Sequence, residues 1–154
     1  MRAKHAQCIS CGAKYRLTDL YTCEKCGGIL DVIYDYSSLS KLNKSPLPGI
    51  WAYSDLLPVG DPQFITSLGE GWTPLLATPR LGRHLDVNQL YVKNETVEPT
   101  GSFKDRPISV AISKARELGT QTVVTSSSGN AGASAAAYAA RAGLDCYVFV
   151  PASV

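Results

Sequence analysis

The sequence predicts an α/β protein, a parallel sheet with flanking helices preceded by a small cysteine-bearing module. Three observations carry that expectation. From about residue 89 onward, short β-branched runs alternate with amphipathic or alanine-rich runs of helical length. The helical runs stop at glycines, Gly119 and Gly143. Near the amino end, Cys8, Cys11, Cys23 and Cys26 form two Cys-x-x-Cys pairs.

Composition agrees with a folded globular chain. Of 154 residues, 45% are hydrophobic and 18% charged, enough apolar material for a core. The net charge of +2, with no clustering of Lys and Arg, argues against a nucleic-acid or membrane surface. No apolar run approaches the roughly 20 residues of a bilayer span, and Met1-Arg2-Ala3-Lys4-His5 leads into cysteines and not into a secretory core. A cytoplasmic protein is expected, so the glycosylation patterns at Asn43 and Asn94 carry no weight. Cys146, alone in an apolar run, reads as a small core residue.

Taken in order, residues 1–33 read as the cysteine module, a set of short strands closing on Ile29-Leu30-Asp31-Val32-Ile33. Residues 34–88 read as a connecting segment packed over a larger body. Pro46, Pro48, Pro58 and Pro62 interrupt it, and Trp51, Tyr53, Leu56 and Leu57 are its expected anchors. A tight turn is expected where Gly69, Gly71 and Pro74 surround Glu70, Trp72 and Thr73. Residues 89–154 form the α/β portion. It opens with a strand at 89–93 and a helix over about 105–118, whose Ile108, Ala111, Ile112, Ala115 and Leu118 are expected to form one buried face. Pro107 must lie in the first turn of that helix, with Asp105 as its expected cap. A strand at 122–125, a small-residue helix at 130–142 and a strand at 145–150 complete a parallel crossover unit.

The spacing of the cysteines is specific. A two-residue gap lets both sulfurs of one turn face one ion, and two such turns supply a tetrahedral site. Gly12 and Gly27, which follow the pairs, permit the positive φ that aims backbone amides at sulfur. Structural zinc held by Cys8, Cys11, Cys23 and Cys26 is the favoured reading of a zinc-ribbon-like module. An iron site of the same geometry, two disulfides and a redox pair are its alternatives. Some thirty residues hold too little core to fold without such a staple.

Two loops carry the rest of the chemistry. Asn94 to Arg106 joins a strand to a helix start, where α/β proteins hold ligands. The positive end of the helix dipole disfavours the ammonium form of Lys104, and a neutral amine is the form that attacks an aldehyde. The plain alternative is a solvated surface lysine. Ser126-Ser127-Ser128-Gly129-Asn130-Ala131-Gly132 again joins strand to helix, and its free amides and hydroxyls suit a carboxylate or phosphate. Here the plain alternative is an ordinary loop with Asn130 as a cap.

With these residues in place, the chain resembles the threonine synthases, within fold type II (the β-family) of pyridoxal-phosphate (PLP) enzymes. The matching blocks are the Cys-x-x-Cys pairs, Gly69-Glu70-Gly71-Trp72-Thr73-Pro74-Leu75, Pro99-Thr100-Gly101-Ser102-Phe103-Lys104-Asp105-Arg106, and Ser127-Ser128-Gly129-Asn130-Ala131-Gly132. The resemblance implies part of a fold type II PLP-enzyme fold behind the zinc-ribbon module. It implies that Lys104 carries PLP, that Asn130 hydrogen-bonds the cofactor's phenolic oxygen, and that Ser127, Ser128 and Gly129 receive the substrate carboxylate. The implied reaction turns O-phosphohomoserine and water into threonine and phosphate, with Lys104 also shuttling protons. Arg106 and Lys93 stay outside the expected site, as solvated charges or partners of Asp105.

The family's phosphate-cradling loop and its pyridine-nitrogen partner belong to a later half, and nothing in residues 133–154 substitutes for them. Truncation at the carboxyl end is therefore expected, with little activity from this chain alone. Cysteate synthase is the nearest alternative within the chemistry. Threonine or serine dehydratase and cysteine synthase are further off, since they usually lack the ribbon. A non-catalytic binding module is the alternative outside it. The expected partner is a small-molecule substrate, with no nucleic acid and no membrane, and a homodimer is compatible with the sequence.

Overall fold

Turn glycines and short alternating runs build the amino-terminal module. In the computed structural model, which describes residues 3–18, 20–37 and 44–153, β1 (Ala3–Cys8) pairs antiparallel with β2 (Lys14–Tyr15) and with β3 (Leu30–Tyr34), in the order β2-β1-β3. Met1, Arg2, Val154 and Asn43, where one glycosylation pattern begins, lie outside the described residues. The two Cys-x-x-Cys segments are the module's turns. Gly12 and Gly27 sit at φ +73° and +71°, and their amides donate to the carbonyls of Cys8 (3.0 Å) and Cys23 (2.7 Å).

The proline-interrupted segment that follows holds more regular structure than its composition suggested. A 3₁₀ helix spans Gly49–Leu56, where Pro48 fixes the entry, and it buries Trp51 at 1% exposure beside Ala52. Of the other expected anchors, Tyr53, Leu56 and Leu57 are half-buried. Beyond a 3₁₀ turn at Pro62–Phe64 come β4 (Leu75–Ala77) and a short helix, α1 (Pro79–His84). β4 pairs antiparallel with β5 (Tyr91–Lys93), so these two strands form a ribbon of their own.

The expected crossover is present. β6 (Thr122–Ser126) and β7 (Asp145–Phe149) pair in parallel, in register from Thr122 opposite Asp145 to Ser126 opposite Phe149, and α3 (Asn130–Ala142) connects them. Alanine and glycine let α3 lie close to both the sheet and α2 (Asp105–Glu117). The apolar core gathers at their junction, with Ile112, Tyr138 and Ala139 buried and Ile108, Val123, Leu144 and Cys146 packed against them. Cys146 is thus a core-edge residue, as its context suggested.

Two expectations for α2 need correction. Its cap position is occupied by Lys104, and Asp105 lies one residue inside, reaching back to the preceding loop. The apolar stripe is not buried as a whole: Ile112 is covered, but Ala111 and Leu118 are exposed. The stripe lines an open groove of about 500 Å³ together with Leu20, Tyr21 and Val124. The fully buried side of α2 is instead polar, made of Asp105, Ser109 and Ser113. Periodicity reports that a helix has two faces, and hydrogen bonding to neighbours decides which of them can be covered.

Candidate functional site

Lys104 stands where a coiled loop tightens into α2. Gly101, at φ +75°, turns the chain, its amide donating to the Glu98 carbonyl at 2.7 Å. The backbone carbonyls of Ser102 and Phe103 then accept from the amides of Asp105 and Arg106, and the Lys104 carbonyl accepts the first α-helical bond, from Ile108. The loop is therefore fixed on both sides of the lysine. The Lys104 side chain is half-buried, with Nζ 4.3 Å from the Phe103 ring centroid. Among the described residues no carboxyl group pairs with Nζ and no protein atom hydrogen-bonds it.

Asn130 is the first residue of α3, and the cap position belongs to Gly129, which offers no side chain to the helix amides. Reading Asn130 as a mere cap is excluded by that geometry. Ser127 donates its amide to the Phe149 carbonyl and accepts from the Gly129 amide on Oγ at 3.3 Å, which sets the loop against β7. Ser128, Gly129 and Asn130 are exposed, so their polar groups open outward. Gly132 lets the helix start approach this loop: a Cβ there would meet the Ser127 carbonyl oxygen at 2.7 Å and Val148 Cγ1 at 3.0 Å.

The two loops are tied together from below. Asp105, next to Lys104 and completely buried, accepts from Ser134 Oγ on α3 at 2.7 Å. Glu70, also completely buried, accepts from Trp51 Nε1 (2.7 Å) and Ser109 Oγ (2.5 Å) on one oxygen. Its other oxygen accepts from Ser67 Oγ (3.0 Å), the Leu68 amide (3.0 Å) and Tyr138 Oη (2.8 Å). One carboxyl group thereby joins the 3₁₀ helix, the glycine-rich turn, α2 and α3. Burial, together with the Glu70 hydrogen bond, drives the Tyr138 hydroxyl far above its ordinary value.

Arg106 does not pair with Asp105, as its position had suggested. Its Nε and Nη2 donate to Glu95 at 2.7 and 2.9 Å, and Nη2 also reaches Thr73 Oγ1 at 3.1 Å. Glu98 Oε1 lies 3.0 Å from Nη2 but outside hydrogen-bond geometry, while Glu98 Oε2 accepts the Gly71 amide at 2.9 Å. Hydrogen bonds from Arg106, then Thr73, hold the Glu95 carboxyl down at about 2, whereas burial pushes Glu98 up. Lys93 Nζ donates to the Thr73 carbonyl. Both cations are thus committed to holding the Trp72-Thr73 turn. Trp72 itself takes φ +53° and is 64% exposed.

The four cysteines of the module converge, with all four sulfurs within 4.8 Å of one another. Cys8 and Cys23 are buried, Cys11 and Cys26 exposed. Tyr15 Oη lies 3.1 Å from Cys23 Sγ, and this hydrogen bond leads the causes that lower the Cys23 thiol to about 6. Cys26 is pushed up to about 12: the Gly28 amide lowers it, but the Cys11, Cys8 and Cys23 sulfurs together outweigh that effect. Crowded thiolates oppose one another unless a cation sits among them, so the donor set fits a soft divalent metal.

Lys104, Asn130, the serine loop and the four cysteines stand out in the sequence, whereas Glu70, the link from Asp105 to Ser134, and Tyr15 do not. The missed signal was a polar repeat at 105, 109 and 113, which shares one helical face. A polar stripe ordinarily marks the solvent side.

Comparison with known proteins adds an independent finding. The family model for pyridoxal-phosphate dependent enzymes matches residues 66–154. Threonine synthase of Methanosarcina acetivorans is 48% identical over 153 residues, covering 96% of this chain and 37% of that protein. Threonine synthase of Methanocaldococcus jannaschii is 47% identical over 152 residues, covering 94% of this chain and 37% of that protein. Threonine synthase of Mycobacterium leprae is 50% identical over 107 residues, 69% of this chain and 29% of that protein. The chain thus spans 37% of the length of the first two relatives.

Proposed function

The chain belongs to the pyridoxal-phosphate dependent enzymes, and from that premise we propose that it is part of a threonine synthase, acting on O-phosphohomoserine and water to give threonine and phosphate. The carrying observation is an amine with no hydrogen-bond or ion-pair partner among the described residues, Lys104 Nζ, on a loop bonded through Asp105 to the helix whose uncapped start is Asn130. That donor set suits the proposed cofactor. An amine serves its aldehyde carbon, and an amide serves its phenolic oxygen. The free hydroxyls and first-turn amides at residues 127–130 serve an incoming carboxylate.

In this reading bound PLP supplies the electron sink for a carbanion beside the substrate nitrogen. Lys104 would hold the cofactor and, once freed, would take protons from the substrate Cα and Cβ and return protons to Cγ and Cα, as phosphate leaves Cγ and water gives its hydroxyl to Cβ and its proton to the departing phosphate. Asn130 donates to the phenolic oxygen, and Ser127, Ser128 and the Gly129 amide orient the substrate carboxylate. Cys8, Cys11, Cys23 and Cys26 hold a structural zinc with no open position. The protein works in the cytoplasm, where thiols stay reduced.

The test uses the full-length polypeptide. Supplied with O-phosphohomoserine it releases phosphate and threonine in equal amounts, and Lys104→Ala slows this by roughly a thousandfold, the scale of a lost acid-base group. Retained activity in Lys104→Ala, or turnover of phosphoserine with sulfite in place of O-phosphohomoserine, would overturn the assignment.

A further inference from the structure

Asp105 is the one buried carboxyl group in direct sequence contact with Lys104, and its environment is unusual. It is completely buried, and no lysine or arginine among the described residues pairs with it, since Arg106 turns to Glu95 and Glu98. Among the described residues its oxygens accept three hydrogen bonds: from the Thr100 amide at 2.6 Å on Oδ2, and from Thr100 Oγ1 at 2.5 Å and Ser134 Oγ at 2.7 Å on Oδ1. A buried carboxyl group is costly unless such bonds are met, so the geometry around it is tightly specified.

Ser134 lies one turn along α3 from Asn130, and residues four apart share a helical face. The face of α3 that carries Asn130 is therefore the face bonded to the Lys104 loop. Thr100 meanwhile closes the loop's other end onto the same carboxyl group. The Asp105 carboxyl thus holds the loop before the lysine and the rotation of the asparagine's helix at one point.

We propose that Asp105, through Thr100 and Ser134, is the positioning residue that fixes the spacing of the Lys104 amine and the Asn130 amide. The inference rests on the reading of Lys104 as the cofactor-bearing lysine. The Asp105 side chain is fully buried, and its oxygens are taken up by Thr100 and Ser134. It acts by setting where two other side chains stand.

The experiment compares Ser134→Ala, Thr100→Val and the conservative Thr100→Ser with the parent in the full-length polypeptide loaded with PLP. Three quantities are read: the pH midpoint of the visible chromophore, kcat against KM, and the urea midpoint. Ser134→Ala and Thr100→Val are expected to displace the pH midpoint by about half a unit or more. They should lower kcat between about tenfold and a hundredfold, as a misplacement of reacting groups does, with KM within roughly a factor of three. Thr100→Ser, which keeps the hydroxyl, is expected to keep the parent midpoint. If Ser134→Ala and Thr100→Val lose urea stability yet keep the parent chromophore midpoint and kcat, the hydrogen bonds are structural only and the proposal fails. Lys104→Ala separates the two levels: a reducible chromophore that survives it defeats the underlying reading and takes this proposal with it.

Discussion

Glu95 and Glu98 stand three residues apart and share Arg106, yet their surroundings push them in opposite directions. Direct hydrogen bonds hold Glu95 down to about 2, against an ordinary 4.5, while burial raises Glu98. A depressed carboxyl group contributes stability that is fully present above its unfolded value and is lost as pH falls through the folded one. Urea midpoints of the full-length polypeptide should therefore fall as pH drops from about 4.5 toward about 2. Glu95→Gln should be less stable at neutral pH and show a shallower acid slope; an unchanged slope would contradict the arrangement. Candidate residues stood out in the sequence where a side chain brings its own chemistry, as with Lys104, Asn130 and the cysteines. They were illegible for Arg106, because a guanidinium next to Asp105 in sequence points elsewhere in space, toward partners eight and eleven residues upstream.

Among the elements, α3 and the parallel β6–β7 pair were readable, since an alanine-rich run between two β-branched runs leaves few alternatives. For α2 the boundaries were readable but not the covered face. Ser113 Oγ accepts from the Thr66 amide at 2.8 Å and donates to the Ser109 carbonyl at 2.7 Å, so a polar side could be buried at little cost. Hydrogen-bond partners some forty residues away in sequence leave no local trace. The β1–β3 module presents the opposite case, since its strands have little of their own to bury. Ala3, Cys8 and Cys23 are the module's buried hydrophobic residues among those described. Its order is expected to depend on the metal, so metal analysis should return about one zinc per chain, and chelation should expose four reactive thiols. Four thiols that react freely before chelation would contradict the metal site.

Across the whole molecule the decisive feature is that the candidate chemistry rests on buried polar contacts and not on the apolar core alone. Glu70 binds the 3₁₀ helix, the glycine-rich turn, α2 and α3 into one body, and Asp105 links the two loops above it. Five donors on one buried carboxyl group satisfy oxygens whose burial without partners would be costly. Such a frame holds side chains to narrow positions, which an amine that must meet a cofactor carbon requires. No helix among the described residues is long and apolar enough to cross a membrane. The outer face of the β6–β7 pair exposes Val124, Tyr147 and Phe149. We propose that one amine, Lys104 Nζ at the start of α2, carries the cofactor. Borohydride reduction of the PLP-loaded full-length polypeptide, followed by mass mapping of its peptides, tests this most directly. The reduced pyridoxyl group is expected on Lys104 alone, and an adduct mapped to any other lysine would contradict that assignment.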